Sequence, residues 1–207
     1  MNSEVQPALK GRQHVDEKYI KINKNDAYDL NCKDSKTKFI TAHLLVDKRT
    51  KINCIRLFKQ IKDACYFQIL KRYKKEKHKP VKKRKLFIFV FDKFANYKSA
   101  WNKLFGRVTK AIAGVPIACK KFKLEYNNNP IENYNGGLKS RLKVMRGGFR
   151  SWEGAEAFLD LRRIIYNFVN PQQGPHGKTP SESAGIKIKL GRNRLLGLIR
   201  WVSKISR

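Results

Sequence analysis

Hydrophobic and polar positions change their period several times along this chain. Residues 14–22 (HVDEKYIKI) set Val15, Ile20 and Ile22 among Asp16, Glu17 and Lys21, close to a period of two, which predicts a strand. Asn23 to Asp26 has turn chemistry. Residues 27–33 and 38–46 read as two further strands, separated by the polar turn Asp34-Ser35-Lys36-Thr37. Short turns between three strands predict an antiparallel meander. From 51 to 72 the period lengthens: Ile55, Phe58, Ile61, Cys65 and Ile69 recur at i+3/i+4 and mark a helix face. Leu86 to Phe91 is an unbroken apolar run that ends at Asp92, the pattern of a central parallel strand covered on both faces.

A helix is predicted from about 96 to 105, and a short strand within 107–124. Asn129 can cap the next helix and Pro130 suits its first helical position. Its buried stripe is Ile131, Tyr134, Leu138, Leu142 and Met145, and Gly147-Gly148 ends it. Residues 152–169 form another helix, stopped by Asn170-Pro171, and 174–180 is an irregular basic loop. A terminal helix over 194–205 carries Leu195, Leu198, Ile199 and Val202 at near-helical spacing. The predicted fold is α/β: a mixed sheet with helices on its faces and C-terminal helices beyond, with no internal repeat. In a βββαβ order the first and fourth strands can be central neighbours, which would set Asp16 and Asp92 face to face across roughly 5 Å, the strand spacing.

Composition adds a partner class. The 207 residues hold 47 Lys+Arg against 16 Asp+Glu, a formal net charge of +31. Such a chain repels itself unless a polyanion or counterions neutralise it, and nucleic acid is the expected polyanion. The charge is densest at Lys71–Lys85, with ten Lys/Arg and one Glu, and at Lys187–Arg207, with seven basic residues and no acid. Aromatic residues make up 11%, enough to build a core and to argue against disorder. No apolar run approaches the ~20 residues of a spanning helix, so no membrane role is expected. Cys32, Cys54, Cys65 and Cys119 show neither CxxC nor zinc spacing and are expected to be reduced, intracellular thiols.

Acids are scarce in this chain, so their positions carry information. Asp16 lies in the first predicted strand, Asp92 ends the buried strand, and Glu132 falls in the first turn of a helix. Carboxylates held together resist ionisation unless a cation joins them. Their hard oxygens suit Mg²⁺ or Mn²⁺, and two such ions would support in-line phosphoryl transfer on DNA. Each acid also has an ordinary reading: Asp16 as a strand-edge acid, Asp92 as the cap of a turn, Glu132 as a capping-box acid. Asp26, Asp29, Asp34 and Asp47 are expected in solvated turns or strand ends, with Asp34 the rival of Asp16 as first acid.

Asn127-Asn128-Asn129-Pro130-Ile131-Glu132-Asn133, with Lys139 seven residues after the Glu, resembles the third-acid motif of insertion-sequence DDE transposases of bacteria and archaea. His14 to Lys21 is similar to the family's first-acid strand, where Glu follows the Asp. Phe91-Asp92-Lys93 with Asn96-Tyr97 resembles its second-acid segment. Residues 144–180 look like its closing region, so the resemblance spans about 14–186. It implies a ribonuclease-H-like fold (βββαβαβ) shared with retroviral integrases. It divides the chain into an N-terminal tail (1–13), a DDE catalytic core (14–170) and a basic C-terminal loop and helix (171–207).

The resemblance implies metal-dependent DNA cleavage and strand transfer at the ends of a mobile element. Asp16, Asp92 and Glu132 would hold two Mg²⁺ or Mn²⁺ ions. Lys139, Lys143 and Arg146, on one basic strip, would position element-end and target DNA. A homodimer and a nucleoid-associated place in a prokaryotic cytoplasm also follow from it. Three departures imply a truncated or decaying copy. Only 15 residues precede Asp16, leaving no room for the usual N-terminal DNA-binding module; Pro116-Ile117-Ala118 stands where a His is common; and the second and third acids are 40 residues apart. The rival classes are an inactive remnant and a non-catalytic basic nucleic-acid-binding protein.

Overall fold

β1 (Gln13–Ile22), β2 (Asn25–Asp34) and β3 (Ile40–Val46) form the predicted antiparallel meander in a computed structural model, which describes residues 6–114, 127–144, 148–172 and 177–205. The β1–β2 turn is Asn23-Lys24, with φ of 47° and 65°, the left-handed backbone of a tight two-residue hairpin. β4 (Ile88–Phe91) joins β1 in parallel and β5 (Lys110–Ala113) joins β4 in parallel. The five-stranded order is β3-β2-β1-β4-β5, so the first and fourth strands are central neighbours, as expected. β5 supplies the short strand expected in 107–124; the rest of that span from 115, with Cys119 and Pro116-Ile117-Ala118, lies outside the described residues.

The helices are α1 (Lys51–Glu76), α2 (Ala95–Phe105), α3 (Asn129–Val144), α4 (Trp152–Ile164), α5 (Pro180–Ser183) and α6 (Arg194–Ile205). α1 runs one turn further than its apolar period suggests, ending in Lys74 and Lys75, cations suited to a helix C-terminus. The Thr50 side chain accepts from the Asn53 amide and caps its start. α4 widens into a π turn over Ile165–Val169, which splits the single helix expected for 152–169.

Alternation along the strands gives the sheet two different faces. On one, Val15, Leu30, Cys32, Phe89 and Phe91 meet the α1 stripe of Cys54, Leu57, Phe58, Ile61, Cys65 and Ile69. Phe58 is its centre, with ring centroids 5.7 Å from Phe89, 6.3 Å from Phe91 and 6.2 Å from Phe105. Burying one such ring contributes roughly 2–3 kcal/mol, and each well-set aromatic pair about 0.5–1.5 more. Burial pushes the Cys54 thiol up to about 11 and Cys65 to about 12, so these free thiols are inert packing groups.

On the other face Ile20, Ile22, Ala27 and Leu45 pack under Leu138, Phe149, Ala155 and Leu159 of α3, α4 and the segment between them. Gly148, with φ of 125°, lets Phe149 bond back to the Lys21 carbonyl; a Cβ there would stand 2.5 Å from that oxygen. Asn167, in the π turn, brackets edge strand β3 by accepting from the Ile40 amide and donating to its carbonyl. Chain ahead of β1 is also pinned: Leu9 is buried, and Ala8 bonds to Ala184. α6 packs through Leu198 and leaves Leu195, Leu196, Ile199 and Val202 exposed.

This second face is more polar than its core position implies. Asp29 is not the solvated acid the sequence suggests: it is fully buried in mid-β2, its Oδ1 2.6 Å from His43 Nε2. The strand alternation puts it on the covered face, where the His43 imidazole of β3 is its neighbour. Lys33 is buried too, with its ammonium 5.2 Å from the centre of the Tyr166 ring and 5.9 Å from that of Tyr134. Burial, with Lys38 and Arg162 nearby, brings its pKa down to about 7. A lysine depressed in the fold binds its proton first in the unfolded chain, so this group makes stability rise with pH between about 7 and its ordinary 10.5. Lys33→Met is expected to raise stability at pH 7 by on the order of 1 kcal/mol and to flatten the rise between pH 7 and 9; thermal melts at both values check it.

Candidate active site

β1 exposes its even-numbered side chains to the α3 side. The β1–β4 register pairs Gln13 with Phe89 and His14 with Val90. Asp16 and Asp92 each follow the His14–Val90 pair by two residues, so both lie just beyond the paired stretch on neighbouring chains. Asp92 follows the last residue of β4, at the carboxyl end where open α/β sheets place their sites. One of its oxygens, Oδ1, accepts from the Phe94 amide at 3.0 Å, so the turn-capping reading is realised on that oxygen.

Glu132 comes from the opposite layer. The Asn127 side chain accepts from the Asn129 amide, starting α3, and Ile131, Tyr134 and Leu138 bury its inner stripe. Asn129 is thus the first helical residue, and the cap shifts two positions upstream of the one expected. Glu132 sits exposed in the first turn. One turn on, Asn135 Nδ2 donates to Asp16 Oδ2 at 3.0 Å. Positions 132 and 135 share a helix face, so this bond aims α3 at Asp16. The i+3 spacing was readable in the chain, but Asn135 escaped notice because an Asn among others carries little signal.

The acids sense one another. The Asp16 carboxyl is pushed up to about 7, first by burial, then by the Glu17 carboxylate, with the Glu17 amide opposing and Asp92 and Glu132 adding repulsion. Among the described residues no three His, Cys, Asp or Glu side chains stand close enough together to hold a metal ion as they are placed. The donor chemistry nevertheless fits a hard divalent cation: three oxygen acids from three elements, one destabilised by its own charge.

Two residues beside the acids act on the structure. Glu17 points to the other face, ion-paired with Arg49 and accepting from Tyr97 Oη at 2.7 Å. Arg49 also stacks over Phe94, 4.6 Å from the ring centre. This cluster ties β1 to the Asp92 turn and to α2. His14, two residues before Asp16, is fully buried; burial lowers its pKa to about 4, partly offset by the nearby Asn128 side chain, so it is neutral.

Asp34, the rival first acid, belongs elsewhere. It is buried where β2 ends, paired with Gln13, and its oxygens accept from the amides of Lys10, Gly11, Lys36 and Thr37 and from Gln13 Nε2. It organises the β2–β3 turn. Lys139 and Lys143 are exposed on α3, whereas Arg146 lies outside the described residues.

A family model described as a DDE domain, of the IS240 transposase type, matches residues 11–170. The chain belongs to the DDE transposase domain family. No curated protein matches it. Among solved structures it is similar to the catalytic core domain of HTLV-2 integrase in complex with magnesium, at 13% identity and TM-score 0.51, covering 84% of this chain and 94% of that one. It is also similar to a simian T-cell lymphotropic virus intasome bound to PP2A regulatory subunit B56 gamma, at 11% identity and TM-score 0.52, covering 90% of this chain and 58% of that one. The Mos1 mariner transposase catalytic domain aligns at 16% identity and TM-score 0.44, covering 93% and 82%. The fold shared with the integrase core is the mixed, helix-flanked sheet. Membership of the DDE domain family makes the chain a catalytic domain of the polynucleotidyl-transferase type. No helix among the described residues is long and apolar enough to cross a membrane.

Asp16 and Asp34 are expected to respond oppositely to truncation. Asp16→Asn removes a repelled, half-buried charge and should raise stability by about 0.5–2 kcal/mol while abolishing turnover. Asp34→Ala leaves buried amides unpaired and should cost about 2–3 kcal/mol, with turnover of the folded fraction retained. Denaturant melts run beside a nicking assay separate the two.

Proposed function

We propose that Asp16, Asp92 and Glu132 are the catalytic acids of a metal-dependent DNA transposase, cutting phosphodiester bonds at element ends and joining the freed 3′ hydroxyl to target DNA. The observation that carries this reading is the register of β1 on β4, with α3 bonded to Asp16 through Asn135. Asp16 and Asp92 would hold divalent cations from two adjoining strand ends, with Glu132 closing the set from α3. Mg²⁺ or Mn²⁺, when bound, supplies Lewis-acid activation of the attacking and leaving oxygens. HTLV-2 integrase, described with magnesium, supports that metal class.

Each side chain then has a task. Asn135 holds one Asp16 oxygen, Oδ2, and leaves the other available to a cation. Asp92 Oδ1 is occupied by the Phe94 amide, which fixes the carboxyl's orientation. Lys139 and Lys143 lie seven and eleven residues after Glu132, on its helix face, and would grip phosphates without reading sequence. Arg146 continues the same strip in the sequence and is proposed for the same task. A homodimer suits the joining of two DNA ends, and a dimeric form is described for the HTLV-2 core. The proposed site of action is nucleoid DNA.

Gly136 shares that face, between Glu132 and Lys139. A Cβ there would meet nothing within 4 Å, so packing does not require glycine. Glycine in a helix costs about 1 kcal/mol against alanine. Bare backbone next to the acids instead favours close approach of a sugar–phosphate chain.

Supercoiled-plasmid nicking with Mg²⁺ or Mn²⁺, with and without chelator, tests the reading. Asp92→Asn or Glu132→Gln should abolish nicking and strand transfer while DNA affinity stays equal or rises; unchanged turnover would refute the assigned roles, and no nicking by the wild-type chain would leave a DNA-holding remnant. Gly136→Ala should stabilise α3 by about 1 kcal/mol yet weaken DNA binding. Removing Lys139 and Lys143 should lower the log–log salt slope of binding by about one each, equally for all sequences.

A further inference from the structure

The densest run of positive charge stands apart from the acids. Residues 71–85 cover the last turns of α1, a 3-10 turn (Val81–Lys83) and the approach to β4. α1 begins two residues after Arg49, the partner of Glu17 beside Asp16. It is 26 residues long, about 39 Å at 1.5 Å per residue. The basic tip therefore lies near the amino end of β4, and the acids at its carboxyl end.

The tip is built, not loose. Glu76 is its one acid and is buried; Oε2 accepts from the Lys85 amide and Oε1 from Lys79 Nζ, both at 2.9 Å. Those bonds hold its carboxyl below the ordinary value. Arg84 clamps the backbone by donating from Nε to the Lys79 carbonyl and from Nη2 to that of Lys77, each at 2.9 Å. Arg72 lies 4.6 Å over the Phe87 ring, at the entry to β4. Glu76, Arg84 and Arg72 thus serve the architecture, while Lys74, Lys75, Lys77, Lys82 and Lys83 remain exposed on it.

We propose that this lobe is a second DNA-binding surface, which grips the phosphate backbone of duplex DNA remote from the acidic site. Three features select that partner. The exposed side chains are lysines, compact point charges suited to phosphate oxygens. Of the rings in the lobe only the small His78 imidazole is exposed, and Tyr73 is half-buried, a poor platform for stacking successive unpaired bases. Val81 is the one exposed apolar side chain, far short of the apolar face of a membrane-surface helix. Because the lobe is already ordered, little conformational entropy is lost on binding. A span of about 39 Å corresponds to roughly eleven base pairs at 3.4 Å each, so the surface engages flanking duplex and not the bond being cut. The inference takes DNA as partner from the reading above and does not depend on which residues hold the metal.

The test compares full-length Lys75→Ala/Lys77→Ala/Lys82→Ala with Lys36→Ala/Lys59→Ala/Lys103→Ala, which removes equal charge from exposed positions elsewhere. Anisotropy with a 30-base-pair duplex, titrated from 50 to 200 mM salt, should show the lobe variant binding about tenfold more weakly, its slope reduced by two to three units. The control should stay within twofold of wild type, and metal-dependent turnover on an eight-base-pair duplex should be unchanged in both. Equal losses in the two variants, or an unaltered slope in the lobe variant, overturn the proposal. So does lost retention on phosphatidylserine vesicles with DNA binding intact. Absence of turnover in every variant, wild type included, would sink the catalytic reading and leave the binding comparison valid.

Discussion

Parallel pairing between β1 and β4 is the contact from which the site's geometry follows. It rests on two registered pairs near one end of β1, Gln13 with Phe89 and His14 with Val90. Parallel neighbours need a long crossover, and α1 supplies it, returning the chain to the amino end of β4. The apolar stripe of α1 fixes the register from below: Phe58 touches both Phe89 and Phe91, and Val15 shares their cluster. A slip of one residue would turn Phe89 and Phe91 away from Phe58 and bring Asp92 to the wrong face. Core packing on one side of the sheet thus dictates where carboxylates stand on the other.

Alternation also explains how two adjacent acids take different roles. Asp16 and Glu17 point to opposite faces of β1. Glu17 finds Arg49 and Tyr97 and becomes a structural tie. Asp16 finds Asn135 and the fields of Asp92 and Glu132, and has no cationic partner among the groups that shift it. In a chain of net charge +31, leaving one half-buried carboxyl among other acids is a local reversal of the overall charge. Sites that accept such destabilisation are the usual place for chemistry.

The elements that packing dictates were legible in the chain. The 3.6 period of 51–72, the apolar run ending at Asp92 and the Asn-Pro start of α3 all map onto observed elements, and the adjacency of strands one and four followed from their order. Polar burial was not legible. Asp29, between Tyr28 and Leu30, and Asp34, between Lys33 and Ser35, both stand in β2 with no local sign of a partner, yet one lies beside a histidine of the next strand and the other takes a set of turn amides. Such partners are close in space and distant or unremarkable in sequence. For the same reason Asn135, Lys33 and the tie through Arg49 carry no local signal. The π turn after α4 was hidden because its periodicity is nearly helical.

Third acids set on helices differ physically from the first two. Asp16 is fixed within β1 and Asp92 by its place one residue beyond β4 and its bond from the Phe94 amide, whereas Glu132 depends on how α3 packs, through Ile131, Tyr134 and Leu138 below and Arg162 alongside. Arg162 donates to the Tyr134 carbonyl and stacks 3.9 Å over its ring, so α4 bolts α3 at the turn after Glu132. Upstream of that bolt, α3 is held by the Asn127 side chain and the Asn135–Asp16 bond. Of the three acids proposed as ligands, two stand on or just beyond sheet strands and the third sits at a helix start held by these anchors. Mutual repulsion opens such a set, and a divalent charge would draw it together, coupling ligand geometry to the strip of Gly136, Lys139 and Lys143 on the same helix face.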